Sequence, residues 1–243
     1  MISAEQLVEN LAAVRHRVDE AARSAGRRPA DVRIIGVTKT HAPELARAAV
    51  VAGLPDLAEN RVQEWRAKAP LVPGARWHLV GQLQRNKVRH VVGQHVLVHT
   101  VDRRSLVDAL SQRAQLLGVL QRALVQVNVG DDPAKGGCAV NETLDLVAYA
   151  RHRAHLAVEG LMTMPPMPPP GRDPVVAARP HFATLRGLRD EVQSRFPEVV
   201  HLSMGMSDDL EAAVEQGATM VRIGTALFGA RGQGPWSPSQ EER

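Results

Sequence analysis

Val32-Arg33-Ile34-Ile35-Gly36-Val37-Thr38-Lys39-Thr40-His41 is a run of apolar, largely β-branched residues that ends on a lysine. A strand apolar at nearly every position is buried on both faces, as in a parallel sheet covered by helices. Lys39 therefore stands where a core strand opens into a loop. Partial desolvation at such a position disfavours the ammonium form and frees the amine as a nucleophile. Taken alone, the segment is explained as well by a lysine that snorkels to solvent from a strand end. The surrounding chain has to decide between the two.

Upstream, residues 4–25 carry apolar positions at Leu7, Leu11, Val14, Val18 and Ala21-Ala22, which is helical spacing, with Ser3 as N-cap and Gly26 as the stop. Downstream, strand and helix patterns alternate. Further strands are expected over residues 56–58, 76–80, 96–100, 123–129, 156–161, 199–202 and 218–223. Between them, helices are expected over 43–51, 62–68, 84–92, 105–117, from Asn141 as cap to 151, 175–195, and 208–216 with Ser207 as cap. Strict alternation makes a parallel sheet. Eight repeats in about 230 residues is the size of a (β/α)8 TIM barrel, here with one extra N-terminal helix. An open doubly wound sheet competes, but the first strand leads to Lys39 without a G-x-G-x-x-G turn. The expected organisation is a single barrel domain over residues 1–229 and a disordered Gly/Pro/Ser-rich tail over 230–243. The proline-rich stretch 164–173 reads as a surface loop.

Composition narrows the function classes. Hydrophobic residues make up 44% of the 243 but aromatics only 3%, so the core is aliphatic. The net charge is +4, with arginines interleaved among acids and no Lys/Arg block flanked by aromatics, which argues against a nucleic-acid platform. The one cysteine, Cys138, excludes an intrachain disulfide and a cysteine metal cluster. No run approaches the ~18 apolar residues of a membrane span, and residues 1–19 lack the apolar stretch of a secretory leader. A cytoplasmic protein that binds neither membrane nor nucleic acid is expected.

In a barrel, functional residues gather at the C-terminal strand ends. The distinctive residues of this chain fall there: Lys39, Glu59-Asn60, Gly81-Gln82, Asp102, Lys135, Met162-Thr163, Ser203, and Arg222 to Thr225. Each has a plain alternative as cap, loop contact or core filler. The last two ends carry the sharpest chemistry. Ser203 is followed by Gly205, and Gly224-Thr225 opens a short helix, where backbone N–H groups bind phosphate. A phosphorylated ligand anchored by Ser203, Gly224 and Thr225 would lie next to Lys39, because the barrel closes strand eight onto strand one. A phosphorylated aldehyde fits that pairing, and pyridoxal 5'-phosphate, held as a Lys39 Schiff base, is one.

At this point the chain resembles the pyridoxal phosphate homeostasis proteins, which look like the barrel domain of alanine racemase. The similar segments are Gly36-Val-Thr-Lys-Thr40, Glu59-Asn-Arg-Val-Gln-Glu64, Trp77-His-Leu-Val-Gly-Gln-Leu-Gln-Arg-Asn-Lys87, His99-Thr-Val-Asp102, Gln126-Val-Asn128 with Lys135-Gly136, Gly160-Leu-Met162, Leu202-Ser-Met-Gly-Met-Ser-Asp208 and Val221-Arg-Ile-Gly-Thr225. They span nearly the whole chain. The resemblance implies Lys39 as the internal aldimine lysine, Ser203, Gly224 and Thr225 on the phosphate, Arg222 beside the pyridine nitrogen, and Asn60 near the cofactor. Arg61 stands where a tyrosine is frequent and Thr38 where a serine is frequent, so the rim near Arg61 differs. An arginine partner has a consequence. Guanidinium stays protonated and cannot accept a proton from the ring nitrogen. The ring then stays neutral and is a poorer electron sink than with an aspartate partner.

Two functions follow. One is a non-catalytic pyridoxal phosphate carrier in vitamin B6 homeostasis. The other is an amino-acid racemase, which needs a second acid/base opposite Lys39. In alanine racemase that group resembles a tyrosine brought by an additional domain and a dimer partner. This chain has one tyrosine, Tyr149, within an expected outer helix, and ends about fourteen residues beyond the barrel. The carrier reading is preferred, with residual racemisation left open. A phosphate-binding barrel without pyridoxal phosphate is the third reading. Pyridoxal phosphate-dependent apoenzymes are expected partners and a monomer the expected state. Lys87, Arg89 and Lys135 are either a second anion site at the mouth or solvated loop charges.

Overall fold

The computed structural model describes residues 2–229, and the expected tail at 230–243 lies outside the described residues. Eight strands, all parallel, close into a barrel in sequence order. They are β1 (Arg33–Val37), β2 (Asp56–Glu59), β3 (Arg76–Leu79), β4 (Leu97–Val101), β5 (Gln121–Gln126), β6 (Leu156–Met162), β7 (His201–Ser203) and β8 (Met220–Ile223). Closure runs from Arg33 opposite Met220 to Gly36 opposite Ile223.

The helices are α1 (Ala4–Ser24), α2 (Pro43–Val51), α3 (Val62–Lys68), α4 (Arg104–Leu117), α5 (Thr143–Arg151), α6 (Pro174–Arg195), α7 (Leu210–Glu215) and α8 (Thr225–Phe228). The α1 helix begins as its sequence dictates, with the Ser3 hydroxyl accepting from the Gln6 N–H at 3.1 Å. Its stripe Leu7, Leu11, Val14, Val18 is buried, and the helix lies against α2, α7 and α8.

Three local expectations are corrected. Residues 84–92 form a 3-10 turn, Arg85–His90, rather than an α-helix. Val88, Val91 and Val92 are buried at helical spacing, but the backbone closes with i→i+3 bonds, Lys87 N–H to the Gln84 carbonyl and Val91 N–H to the Val88 carbonyl, which is the tighter 3-10 repeat. Asn141 is not the cap of α5: it lies inside a 3-10 turn, Val140–Glu142, and Thr143 begins the helix. Ser207 does not cap α7, whose N-cap is Asp209. The Ser207 hydroxyl instead accepts from the Ala226 N–H, at 3.3 Å, in the first turn of α8.

The core has two layers, both aliphatic as the composition requires. Between barrel and helices lie residues such as Leu7, Leu57, Leu106, Leu110 and Phe182. Inside the barrel is a separate group: Ile35, Val37, Ala58, Val80, Leu97, Leu124, Met162 and Met220. Successive strand residues point to opposite faces, so this inner group sets the inward parity of β1, β2 and β8, whose ends carry Lys39, Asn60 and Arg222. Among the described residues no helix is long and apolar enough to cross a membrane.

Candidate functional site

Parity delivers the strand-end residues to one place. The Thr38 N–H donates to the Ala58 carbonyl at 3.0 Å, so the ladder continues past β1 and Lys39 follows Ile35 and Val37 in the inward series. The Val80 N–H likewise donates to the Glu59 carbonyl, and Asn60 follows Ala58. On β8, Met220, Arg222 and Gly224 share that series, and a Cβ added at Gly224 would lie 3.7 Å from the Val37 carbonyl oxygen. Lys39 and Asn60 are half-buried, Gly224 is half-buried, and Thr225 is exposed. A side chain on Gly81 would place its Cβ 2.0 Å from the Asn60 carbonyl oxygen, so glycine there lets the end of β3 close against Asn60.

The outward residues around Lys39 form a buried clamp. The Lys68 ammonium donates to the Thr38 carbonyl at 2.8 Å and to Glu59 Oε1 at 2.7 Å, and the Thr38 hydroxyl donates to the same Oε1 at 2.7 Å. Glu64, one turn before Lys68, lies 3.9 Å from its ammonium and accepts from the Thr40 N–H at 3.1 Å. Thr38, Glu59 and Lys68 are fully buried. Burial raises the Glu59 carboxyl above its ordinary range, against the opposing pull of Lys68 and Thr38. Thr40 sits at φ 67°, a left-handed conformation unusual for a β-branched residue. The Glu64 hydrogen bond holds that turn, so both neighbours of Lys39 are fixed from behind. Sequence reasoning named Glu59 as a strand end and Glu59 to Glu64 as a similar segment, but gave neither carboxylate a role and missed Lys68 as their partner. The available signal was the i, i+4 spacing of Glu64 and Lys68 on the helix that follows β2.

Across the β1–β8 seam, Arg222 is buried, and desolvation lowers its guanidinium to about 10, with Asp209 opposing. Arg222 Nη2 donates to the Thr163 carbonyl at 2.8 Å and Nη1 to the Ser203 hydroxyl at 2.9 Å. Gly205 adopts φ 93°, its carbonyl accepts the Arg222 N–H at 2.9 Å, and a Cβ there would lie 2.5 Å from that of Ala213. Only glycine serves in the Ser203-Met-Gly-Met-Ser207 turn. Ser203 itself is fully buried, and its hydroxyl is shared between Arg222 and His99 Nδ1, 2.9 Å away. The structure thus joins Ser203 to Arg222, while Ser207 meets the Ala226 N–H in the first turn of α8, the helix that Thr225 opens.

The remaining strand-end residues are engaged elsewhere. Lys135 donates to the Pro165 carbonyl, and burial lowers its ammonium. Lys87 and Arg89 lie in the 3-10 turn, and Asp102 pairs with Arg103. Tyr149 lies on α5 and donates to Asp108 at 2.9 Å. Among the described residues, no three His, Cys, Asp or Glu side chains converge as a metal site.

At the opposite end of the barrel interior, Asp56 opens β2. Its Oδ1 faces His78 Nε2 at 3.1 Å, and Arg76 donates to both carboxylate oxygens at 3.1 and 2.5 Å. Burial would raise the Asp56 carboxyl, but the hydrogen bonds from His78 and Arg76 prevail and hold it well below the usual carboxylate range. A carboxyl depressed in the folded state stabilises fully above its unfolded pKa of about 4, and that stability is lost as pH falls further. Asp56→Asn is therefore expected to lower stability at pH 7 and to flatten the acid limb below about pH 4. Urea midpoints across pH 2–7 test this, and identical acid limbs would reject it.

The family model described as alanine racemase, N-terminal domain, matches residues 10–232. The pyridoxal phosphate homeostasis protein of Aquifex aeolicus is 41% identical over 226 residues, covering 92% of this chain and 97% of that protein. The structure of PipY from Synechococcus elongatus, solved with PLP bound, superposes with a TM-score of 0.77 at 33% identity, covering 92% of this chain and all of PipY. Alanine racemase of Clostridium difficile shares the fold, at TM-score 0.75 and 15% identity, over 97% of this chain and 62% of that enzyme.

Proposed function

The chain belongs to the pyridoxal phosphate homeostasis proteins, and on that premise we propose that it binds pyridoxal 5'-phosphate at the barrel mouth. Lys39 holds the cofactor covalently, and the protein serves intracellular vitamin B6 homeostasis without robust catalysis of its own. The observation that carries this is the β1–β8 seam. One edge of the mouth offers an amine at Lys39, a buried guanidinium at Arg222, and Gly224-Thr225 at the opening of a helix.

The donor set suits the group. Lys39 supplies the amine that an aldehyde requires, and Arg222 a hydrogen-bond donor for a neutral ring nitrogen. Gly224 and Thr225, with Ser207 beside them, serve the phosphate, and Asn60 borders the ring. The Ser203 hydroxyl is committed to Arg222 and His99, so its contribution passes through Arg222. Bound pyridoxal phosphate supplies an aldehyde and an electron sink. Arg222 limits the second, because a guanidinium donates to the ring nitrogen without protonating it. The tyrosine of this chain lies on outer helix α5 and offers no acid/base group at the mouth. We place the protein in the cytoplasm as a single-barrel monomer that exchanges pyridoxal phosphate with dependent apoenzymes.

The test is a titration of the purified protein with pyridoxal phosphate, followed by near-visible absorbance, beside an alanine racemisation assay with a dedicated racemase in parallel. A saturable protein-bound band with negligible racemisation is expected. A protein that stays colourless would leave a plain phosphate-binding barrel, and turnover matching the racemase would restore the enzymatic reading.

A further inference from the structure

A line of buried polar groups crosses the barrel interior from floor to mouth. Asp56 Oδ1 faces His78 Nε2 at 3.1 Å, and His78 Nδ1 faces His99 Nε2 at 2.9 Å. His99 Nδ1 faces the Ser203 hydroxyl at 2.9 Å, and Ser203 accepts from Arg222 Nη1 at 2.9 Å. The line draws on five strands, β2, β3, β4, β7 and β8. All five side chains are buried, at no more than 4% exposure.

We propose that His78 and His99 are positioning residues for Arg222, forming with Asp56 and Ser203 a one-way hydrogen-bond relay that fixes the guanidinium at the barrel mouth. The direction follows from the two ends. A carboxylate only accepts and a guanidinium only donates. His78 Nε2 must then carry the proton, which leaves its Nδ1 bare. His99 must donate from Nε2, which leaves its Nδ1 bare in turn. Ser203 must donate to that nitrogen and accept from Arg222. With both rings neutral, any other arrangement sets two protons or two lone pairs against each other within about 3 Å, in a buried site where an unmet polar group is costly.

The charges facing the two rings fit this arrangement. Asp56 on β2 faces His78, together with Arg33 on β1 and Arg122 on β5. His99 faces His78, Arg222, His201 on β7 and Arg33. Burial, foremost, lowers both histidines and keeps both rings neutral at pH 7. The relay removes the freedom of a long, flexible side chain before any ligand arrives, a cost that binding would otherwise bear. Its importance for cofactor binding rests on the reading that Arg222 meets the pyridoxal phosphate ring nitrogen.

The first experiment uses unliganded protein. Nitrogen NMR of 15N-histidine-labelled protein at pH 7, assigned with His78→Gln and His99→Gln, should show both rings neutral and protonated at Nε2. Asp56→Asn, whose amide both donates and accepts, should split them into two tautomeric populations. A cationic or Nδ1-protonated ring in the wild type would overturn the relay. The second experiment is pyridoxal phosphate titration. Glutamine at 99 can accept from Ser203 and donate to His78, so His99→Gln should bind within about threefold of wild type. His99→Phe, of similar bulk, should bind at least about tenfold more weakly. Equal affinities for both variants would overturn the positioning role even with the tautomers as described. Failure of His99→Phe to fold would leave that test to Asp56→Asn, which should bind more weakly than wild type. If the wild type binds no pyridoxal phosphate, the cofactor reading fails and the positioning role with it, while the NMR result still decides whether the relay exists.

Discussion

Lys39→Ala mixed with pyridoxal phosphate should show only the absorbance of the free compound. After borohydride reduction its intact mass should be unchanged, whereas the wild type should gain one pyridoxyl group located on Lys39. The remaining contacts at Arg222, Asn60 and Gly224-Thr225 would still recruit the ligand. We expect affinity to fall roughly 100-fold, equivalent to about 2.7 kcal/mol. No neighbouring amine can substitute. Lys68 is engaged with Glu59 and the Thr38 carbonyl behind the strand, and Lys135 is held by the Pro165 carbonyl. An identical band in wild type and variant would remove Lys39 from the site, and a reduced adduct on another lysine would name its replacement.

The second large effect is on stability. Lys68→Met should destabilise the protein by about 3–5 kcal/mol, because it leaves a buried carboxylate without its cation. Glu59 is fully buried, and Glu64 adds a second negative charge beside it. The loss should grow with pH. A carboxyl raised by folding contributes stability at low pH that disappears as pH rises through its folded pKa, and Glu59 without Lys68 is raised further. Adding Glu59→Gln should recover a large part of the loss. Urea unfolding of the single and double variants at pH 5 and 8 measures both points. A single variant as stable as wild type at both would show that the clamp carries no net stability. Pyridoxal phosphate binding should weaken in parallel, because the Thr38 carbonyl loses the ammonium that sets the backbone before Lys39, and Glu64, which holds the Thr40 N–H, loses the cation beside it.

Much of the fold was legible because it is written in local periodicity. The alternation that placed β1 to β8 and their helices depends on residues a few positions apart, and so does the inward parity that carries Ile35 and Val37 on to Lys39. The misread details have local causes. Residues 84–92 bury Val88, Val91 and Val92 at helical spacing, and an apolar stripe of that length does not distinguish an α-helix from a 3-10 turn. Ser207 has the composition of a cap, but its hydroxyl accepts from an N–H of α8 rather than α7.

The candidate site was legible only in part. Lys39, Asn60, Arg222 and Gly224-Thr225 could be singled out because each stands at or near a strand end, and any barrel brings such ends together. The direction of a hydroxyl is a different matter. Ser203 was assigned to phosphate from its position, yet its oxygen lies between His99 and Arg222, 104 and 19 residues away. Asp56, His78 and His99 entered the sequence reading only as parts of a strand or a similar segment and were given no role, because each is at or near the inner side of its strand with no partner close in sequence. The Lys68 clamp escaped notice for the same reason, since it joins residues 9 and 30 positions apart.

By itself, then, the sequence determined the order and type of elements, the closed parallel topology, and the family to which the chain belongs. Only the tertiary structure decided which polar groups meet inside and behind the barrel. Periodicity is set by the few residues of one strand or turn. A hydrogen bond is set by distances of about 3 Å across strands, which depend on the register of all eight at once.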